Sequence, residues 1–141
     1  MTGYLYDYSS EDFLRDENET DDSKRLQRAI DTCSDGRVLY IPRGIYKIAN
    51  PLKITNGCSL LMHKSAILKA VAEMDFVLSY DSPASRGKDY NIFITGGVIE
   101  GNGLASCLFL DKFSHFTLKD ITLYNGKKYG LRSGNEVEGM N

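Results

Sequence analysis

The sequence predicts an all-β fold, a right-handed parallel β-helix (a solenoid) with one capping α-helix at its N-terminal end. Three observations lead to this prediction. Hydrophobic residues recur with period two in many short runs, two of these runs repeat 24 residues apart, and one amphipathic helix precedes them. At 141 residues with 42% hydrophobic content, the chain is long enough for a single domain with a core and too short for two ordinary domains.

The helix is the first clear element along the chain. Residues 4–20 are acidic and aperiodic, so we expect an extended lead-in with one early strand at 4–8. The segment 20–23 (TDDS) supplies N-cap oxygens, and Gly36 provides a stop. Between them, four apolar residues follow one helical face: Leu26, Ala29, Ile30 and Cys33. We expect a helix over 22–35 that covers the open end of the solenoid, where backbone groups and the apolar interior would otherwise be exposed.

From residue 38 onward the pattern is that of short strands separated by Gly, Pro, Asn, Asp or Ser. The predicted strands are Val38–Ile41, Ile45–Ile48, Pro51–Ile54, Ser59–Met62, Ala66–Ala70, Phe76–Tyr80, Asn91–Ile94, Val98–Glu100, Cys107–Leu110, Phe116–Leu118 and Ile121–Tyr124. Strands this short and this numerous are typical of a β-sandwich, a barrel or a solenoid.

Internal similarity favours the solenoid. Residues 91–102 align with 115–126 at an offset of 24. The alignment matches Ile92 with Phe116, Ile94 with Leu118 and Ile99 with Leu123. An earlier, approximate copy fits when Met62 is matched to Ile94, and its extra residues then fall in the polar stretch 81–89. A repeat in the low twenties corresponds to one turn of a coil in which each turn stacks on its neighbours.

Charge distribution limits the classes of partner. The formal net charge is -2, but the first 22 residues hold eight acids and one base, which leaves 16 bases and 11 acids in the remainder. This bias is compatible with an anionic polysaccharide, although a solvated surface with scattered lysines explains it as well. The bases neither cluster nor alternate with aromatic residues, so we expect no nucleic-acid partner. No segment is long and apolar enough to predict a membrane span.

The cysteines and histidines predict no metal site. Cys33, Cys58 and Cys107 are odd in number and far apart, and we expect buried thiols outside any disulfide; one disulfide with one remaining thiol is the alternative. No Cys-x-x-Cys pair is present, and His63 and His115 match no compact metal-binding motif. The expected cofactor is therefore none.

Several segments together carry a resemblance to a known superfamily. The acidic lead-in runs into the helix at 24–33, the segment 38–46 (VLYIPRGIY) follows, and 96–103 (GGVIEGNG) is rich in glycine, with Glu100 where the family usually has Asp. Over 20–125 the chain resembles the N-terminal part of the pectate-lyase-like superfamily of right-handed β-helix proteins. That superfamily includes polygalacturonase-type glycoside hydrolases and phage tailspikes.

The resemblance implies action on a polysaccharide, with hydrolysis favoured over a lyase reaction. Calcium is a candidate cofactor only if the reaction is that of a lyase. The family's catalytic motifs, Asn-x-Asp, Asp-Asp and Gly-His-Gly, are not found on the rungs of this chain, so no catalytic residue is transferred. We expect one domain over 1–141, with a cap at about 1–36 and the first rungs at about 37–141. We also expect the chain to be the N-terminal part of a longer protein and inactive by itself.

The 24-residue offset nevertheless suggests candidate site residues. It would stack Glu100 on Tyr124 and Asp120 on Gly96, so the two carboxylates could flank one groove a rung apart, as glycoside hydrolysis requires. A role in forming the corners is the favoured alternative for both. Three residues are candidates for contacts with the substrate: Asn102, Tyr124 and Lys119.

A second hypothesis belongs to a different class, a non-catalytic module such as a phage spike or adhesin that binds a glycan. Such a solenoid could assemble as a homotrimer. Both hypotheses favour an extracellular or virion-associated protein. Sequence beyond this chain would separate them, since paired aspartates on consecutive rungs favour the enzyme and a trimerisation tail favours the spike.

Overall fold

The computed structural model describes residues 6–34, 36–55, 57–81, 92–111 and 116–133. In this part of the chain, one α-helix, α1 (Ser23–Thr32), precedes most of the strands, and a 3₁₀ turn lies at Ser10–Asp12. The strands are β1 (Tyr8–Ser9), β2 (Val38–Ile41), β3 (Gly44–Ile48), β4 (Leu52–Ile54), β5 (Ser59–Met62), β6 (Ala66–Ala70), β7 (Phe76–Asp81), β8 (Ile92–Thr95), β9 (Val98–Glu100), β10 (Ser106–Asp111), β11 (Phe116–Lys119), β12 (Thr122–Tyr124) and β13 (Leu131–Ser133).

The strands of the described residues form three parallel sheets. Sheet A has the order β1-β2-β5-β8-β11, sheet B has β3-β6-β9-β12, and sheet C has β4-β7-β10-β13. Successive strands enter sheets A, B and C in turn, so each circuit of the chain is one rung: 38–54, 59–81, 92–111 and 116–133 for rungs 1 to 4. The predicted parallel β-helix with its N-terminal capping helix is confirmed.

The register between rungs 3 and 4 agrees with the predicted repeat. The three matched pairs are all direct neighbours: Ile92 with Phe116, Ile94 with Leu118, and Ile99 with Leu123. Rung 4 also has a third strand, β13, that the sequence analysis missed because it contains a single apolar residue, Leu131. A constant offset of 24 thus describes sheets A and B between these two rungs.

The earlier copy was matched wrongly. Leu60, and not Met62, is the neighbour of Ile94. The offset between rungs 2 and 3 is 34 in sheet A and 31 in sheet B, because the corner 63–65 has three residues that rung 3 lacks. Met62, at the end of β5, lies instead against Gly96 in the corner that follows β8. The contact is so close that a Cβ on Gly96 would come within 2.1 Å of the Met62 carbonyl oxygen. Because the two offsets differ, an alignment without gaps could not match β5 with β8 and β6 with β9 at the same time.

The core is built from inward-facing side chains that stack from rung to rung. Leu39, Leu60 and Ile94 form such a column in sheet A, all fully buried. Sheet C has another, formed by Leu52, Leu78 and Leu108. Each fully buried aliphatic side chain of this kind contributes about 1.5–3 kcal/mol relative to an exposed one. The columns therefore supply the main stabilisation of the solenoid.

The capping helix is shorter than predicted, at Ser23–Thr32 instead of 22–35, and its apolar stripe is the predicted one. The buried stripe consists of Leu26, Ala29, Ile30 and Cys33. Asp22 occupies the N-cap position but makes no side-chain cap bond, because its carboxylate is engaged elsewhere. Asp21 accepts the Ser23 N–H instead, at 2.8 Å. The early strand predicted at 4–8 is observed at Tyr8–Ser9, and residues 1–5 lie outside the described part of the chain.

The cap also satisfies the backbone groups at the outer edge of rung 1. β1 pairs with β2. On β4, the Gln27 side chain accepts the Lys53 N–H at 2.9 Å and donates to the Lys53 carbonyl at 2.8 Å. On β3, Asp22 donates its backbone N–H to the Lys47 carbonyl at 2.8 Å and accepts the Lys47 N–H through Oδ2 at 2.7 Å. Each strand of the first rung therefore has a partner at its open edge.

The three cysteines are buried thiols, and none is in a disulfide, as the favoured prediction stated. His63 lies in the corner before β6, where its Nδ1 accepts the Ser65 N–H at 3.0 Å. His115 lies outside the described residues.

Candidate functional site

The outward face of sheet B brings several of the candidate residues together. Along β9, Ile99 is fully buried while Val98 and Glu100 face outward. The register extends these outward positions into two columns across the four rungs. The polar column contains Lys47, Lys69, Glu100 and Tyr124. The column beside it is apolar in the first three rungs, with Ile45, Ile67 and Val98, and has Thr122 in the fourth.

Glu100 and Tyr124 are direct neighbours in the polar column, as the sequence predicted. The Tyr124 side chain is 55% exposed, so one face of its ring is open to a ligand. Glu100 is half-buried, and its Oε2 lies 3.5 Å from Asn125 Nδ2, which donates to it. A carboxylate, an amide and an exposed aromatic ring therefore share one end of sheet B. Groups of this kind provide hydrogen bonds and a stacking surface.

Asn102 lies in the turn that follows Glu100. It is exposed and has a φ of +55°, a left-handed conformation that Asn tolerates better than most residues. Its Nδ2 donates to the Ala70 carbonyl at 3.1 Å, which ties the turn to rung 2. In rung 4, Asn125 directly follows Tyr124 and matches Gly101; it has a φ of +50°, and its carbonyl accepts the Gly103 N–H at 3.0 Å. Both asparagines thus shape the turns that border the candidate site.

Lys119 and Asp120 lie at the opposite end of β12. Lys119 is the last residue of β11, exposed on the outward face of sheet A beside Thr95. Asp120 forms the corner between sheets A and B, with a φ of +55° and an exposed side chain. This conformation agrees with the corner role that the sequence analysis favoured for Asp120.

The structure does not make neighbours of Glu100 and Asp120. Glu100 is beside Tyr124, which follows Asp120 by four residues, a distance of up to about 13 Å along an extended chain. Glycosidases hold their two carboxyl groups about 5–10 Å apart. The assignment of these carboxylates to catalysis stays a prediction.

Two further residues of this face were missed by the sequence analysis, Lys69 and Asn125. Finding Lys69 required the offset of 31 between β6 and β9, which the unequal corners conceal. Asn125 could have been found, because the 24-residue offset already aligned the two turns.

Cys107 lies beneath this end of the face. It is fully buried, and its Sγ lies 3.4 Å from the carbonyl oxygens of both Ile99 and Tyr124. Burial raises the pKa of the Cys107 thiol, so it remains protonated and can donate to these carbonyls. The thiol thus links β10 to the ends of the two strands that carry Glu100 and Tyr124.

Within the described residues, no three His, Cys, Asp or Glu side chains come together in a way that could hold a metal ion. In the same ranges, no helix has the length and apolar character needed to cross a membrane.

Fold and face together define a class: a parallel β-helix with an exposed polar and aromatic column along one sheet. No protein-family model matches the chain. Among curated proteins it is similar to probable rhamnogalacturonase E of Aspergillus oryzae (strain ATCC 42149 / RIB 40), at 23% identity in an alignment of 125 residues that covers 80% of this chain and 29% of that protein. It is also similar to probable rhamnogalacturonase E of Aspergillus niger, at 29% identity over 91 residues, covering 63% and 20% of the two chains.

Two solved structures share the fold. The ORF18 protein of Geobacillus virus E2 has a TM-score of 0.73 and 20% identity, covering 87% of this chain and 26% of that one. An iota-carrageenase complexed to iota-carrageenan fragments has a TM-score of 0.59 and 18% identity, covering 86% and 30%. The resemblance to β-helix proteins inferred from the sequence is confirmed. The chain spans less than a third of the length of the curated relatives that it matches.

Proposed function

We propose that this chain forms the first turns of a β-helix protein that acts on a polysaccharide, and that the outward face of sheet B contacts the glycan. The observation that carries the proposal is the polar column, in which exposed Tyr124 stands beside Glu100 and in line with Lys69 and Lys47. The similarity to proteins named rhamnogalacturonase and to an iota-carrageenase supports it.

The shape of this face suits an extended polymer. Neighbouring strands are about 4.8 Å apart, so four rungs give a straight ridge of roughly 14 Å. The Tyr124 ring offers an apolar surface for a sugar ring, and the charged and amide groups offer hydrogen bonds to hydroxyls. A chain of sugars lying across the rungs could contact all four positions of the polar column.

The ligand in this proposal carries negative charge. Lys47 and Lys69 are direct neighbours on adjacent strands and both face outward. Like charges placed directly opposite each other in a sheet are destabilising. Glu100 is the other neighbour of Lys69 and offsets part of this repulsion, and an anionic group bound beside Lys47 relieves the rest. Carboxylate or sulfate groups on the glycan fit this position.

The reaction we propose for the whole protein is hydrolysis, in preference to elimination, without a cofactor; calcium enters only if the reaction is that of a lyase. The 141-residue chain contributes binding and has no measurable turnover of its own, since it offers no adjacent pair of carboxylates among its candidate residues. Incubation with polygalacturonate or rhamnogalacturonan, followed by assays for reducing ends and for absorbance of unsaturated products, tests this. Cleavage by this chain alone would contradict it.

A second candidate function is a glycan-binding spike without catalysis, possessing the same binding face and assembled as a homotrimer. The favouring observation is the similarity in structure to the ORF18 protein of a virus, which extends over 87% of this chain. Either function places the protein outside the cell or on a virion.

Binding is tested by affinity electrophoresis in gels that contain polygalacturonate, rhamnogalacturonan, iota-carrageenan or neutral dextran. Tyr124→Ala should weaken binding about 2- to 12-fold, the effect of one lost aromatic stack. Tyr6→Ala is the matched control, since Tyr6 is 50% exposed but stacks on Tyr40, outside sheet B. Equal losses for the two variants, or no retardation by any glycan, would contradict the proposed face.

The charge of the ligand is tested separately. Lys47→Gln and Lys69→Gln should weaken binding to the anionic polymers and make it less sensitive to salt. Lys53→Gln is the control, because Lys53 is exposed on sheet C and its backbone, not its side chain, bonds to Gln27. Selective retardation by dextran would show that the ligand is neutral.

A further inference from the structure

Two of the three thiols meet where the capping helix joins the solenoid. Cys33 directly follows α1, and Cys58 directly precedes β5 of rung 2. Both are fully buried, and the Cys33 side chain is close enough to Cys58 to raise the pKa of its thiol. Cys107 is fully buried as well, but it lies in rung 3 against the carbonyls of Ile99 and Tyr124. The chain therefore contains one thiol pair and one thiol that can serve as its control.

The backbone holds this thiol pair in place. Just beyond Cys33, the Gly36 N–H donates to the Gly57 carbonyl at 2.9 Å, and the Ser59 N–H donates to the Arg37 carbonyl at 2.9 Å. The two segments therefore run side by side. A disulfide needs Cβ atoms about 3.5–4.5 Å apart and sulfurs that close to about 2.05 Å. Two buried cysteines on segments joined in this way need only a short movement to meet these conditions.

We propose that Cys33 and Cys58 are a cross-linking site, whose disulfide fastens the capping helix to rung 2 when the protein folds in an oxidising environment. Glutathione disulfide is a suitable oxidant. The thiolate of one cysteine attacks it and releases one glutathione; the second cysteine then loses its proton and displaces the other glutathione. Two protein thiols become one disulfide, and one glutathione disulfide becomes two molecules of glutathione.

The surroundings determine when the bond forms. The neighbouring Cys33 thiol and burial both raise the pKa of Cys58, so the reactive thiolate is scarce in the folded protein. An oxidant also has no direct access to two fully buried sulfurs. Oxidation is therefore fast while the chain folds, before α1 docks, and slow once the reduced protein is folded.

The test compares protein refolded with and without glutathione disulfide, followed by alkylation, tryptic digestion and mass spectrometry without reduction. Trypsin places Cys33 in peptide 29–37, Cys58 in 54–64 and Cys107 in 89–112. We expect the first two peptides to be joined and Cys107 to be alkylated. Three alkylated cysteines, stable glutathione adducts in place of the cross-link, or a bond to peptide 89–112 would each overturn the proposal.

Thermal unfolding supplies a second measurement. The bond closes a loop of about two dozen residues, so the oxidised protein should melt roughly 5–10 °C higher than the reduced protein. Cys107→Ser should retain this difference, and Cys58→Ser should lose it. If Cys58→Ser does not fold, the peptide map of the unaltered chain still decides. Equal melting temperatures for the cross-linked and reduced proteins would contradict the fastening role.

Discussion

The cap and the outward face of sheet B use polar residues in opposite ways. At the cap, Asp22 is 4% exposed and its carboxylate accepts hydrogen bonds from Arg15, Arg25 and the Lys47 backbone N–H. On sheet B, Glu100 is half-buried and Tyr124 is 55% exposed. The backbone of β9, which contains Glu100, already pairs with β6 and β12. The polar residues of the cap pair with groups of the fold itself, whereas those of sheet B face outward and remain accessible to a ligand.

The fold restricts the choice of residue more strongly at the cap than on the outward face of sheet B. An open solenoid edge has unpaired backbone groups, and a side chain that pairs with them must have a suitable length and polarity, as Gln27 has on β4. On the outward face, the sheet determines only where a side chain stands and how exposed it is. We therefore expect changes at the cap to alter stability and changes on sheet B to alter binding.

Removing the Asp22 carboxylate should have the largest effect. Asp22→Ala removes the acceptor of Arg25 Nε and of the Lys47 N–H, and it takes the carboxylate away from a guanidinium that is 15% exposed. Removal of one partner from a buried ion pair costs about 3–5 kcal/mol, so we expect a loss of this size in the free energy of unfolding measured in urea. Glu17→Ala, at an exposed acid of the lead-in, is the control and should stay within about 0.5 kcal/mol. Similar midpoints for the two variants would contradict the distinction.

Gln27 should have a smaller effect of the same kind. Gln27→Leu keeps the helix and much of the side-chain volume but removes both bonds to Lys53, together with an exposed bond to Asp31. These bonds are at an exposed edge, where each contributes about 0.5–1.5 kcal/mol, so we expect a loss of about 1–2 kcal/mol in the free energy of unfolding. Hydrogen exchange should be faster at the Lys53 amide and unchanged at the buried amide of Leu108 in rung 3. Equal acceleration at both amides would mean that the variant loosens the whole chain.

Local sequence patterns predicted most of the elements of the fold but little of their register. The cap and the strand positions followed from apolar period and turn residues, except for β13, whose single apolar residue leaves no periodic signal. Register was harder: Met62 was misplaced because the corner at 63–65 is longer than that at Gly96. The role of Asp22 as an acceptor for Lys47 joins residues 25 apart, which no local pattern reveals. The polar column depends on register in the same way, so only its Glu100–Tyr124 step was predicted.

Acid should weaken the cap before it affects the rungs. Arg28 binds both oxygens of Glu19, at 2.7 and 3.0 Å, and with the Asp16 N–H it lowers the pKa of Glu19 to about 2. Burial alone would raise the pKa of Asp22, but bonds from Arg15, Arg25 and Lys47 lower it overall.

Both carboxyl groups have lower pKa values in the folded protein than the roughly 4 of an unfolded chain. Their contribution to stability is therefore complete above about pH 4–5 and is lost as the pH falls toward 2. Urea midpoints between pH 6 and 2 test this. Glu19→Gln should flatten part of the slope, whereas Glu17→Gln should leave it unchanged.

The smallest effect on stability should come from the candidate binding face. Glu100→Gln and Tyr124→Ala remove groups that the fold does not use to pair its backbone, so each should change the free energy of unfolding by no more than about 0.5 kcal/mol. The same Tyr124→Ala protein should lose glycan binding in the affinity gels. A loss of 2 kcal/mol or more for Tyr124→Ala would mean that its ring packs as part of the rung 4 structure. The polar column would then stabilise the fold as the cap does, and the loss of glycan binding would be a consequence of unfolding.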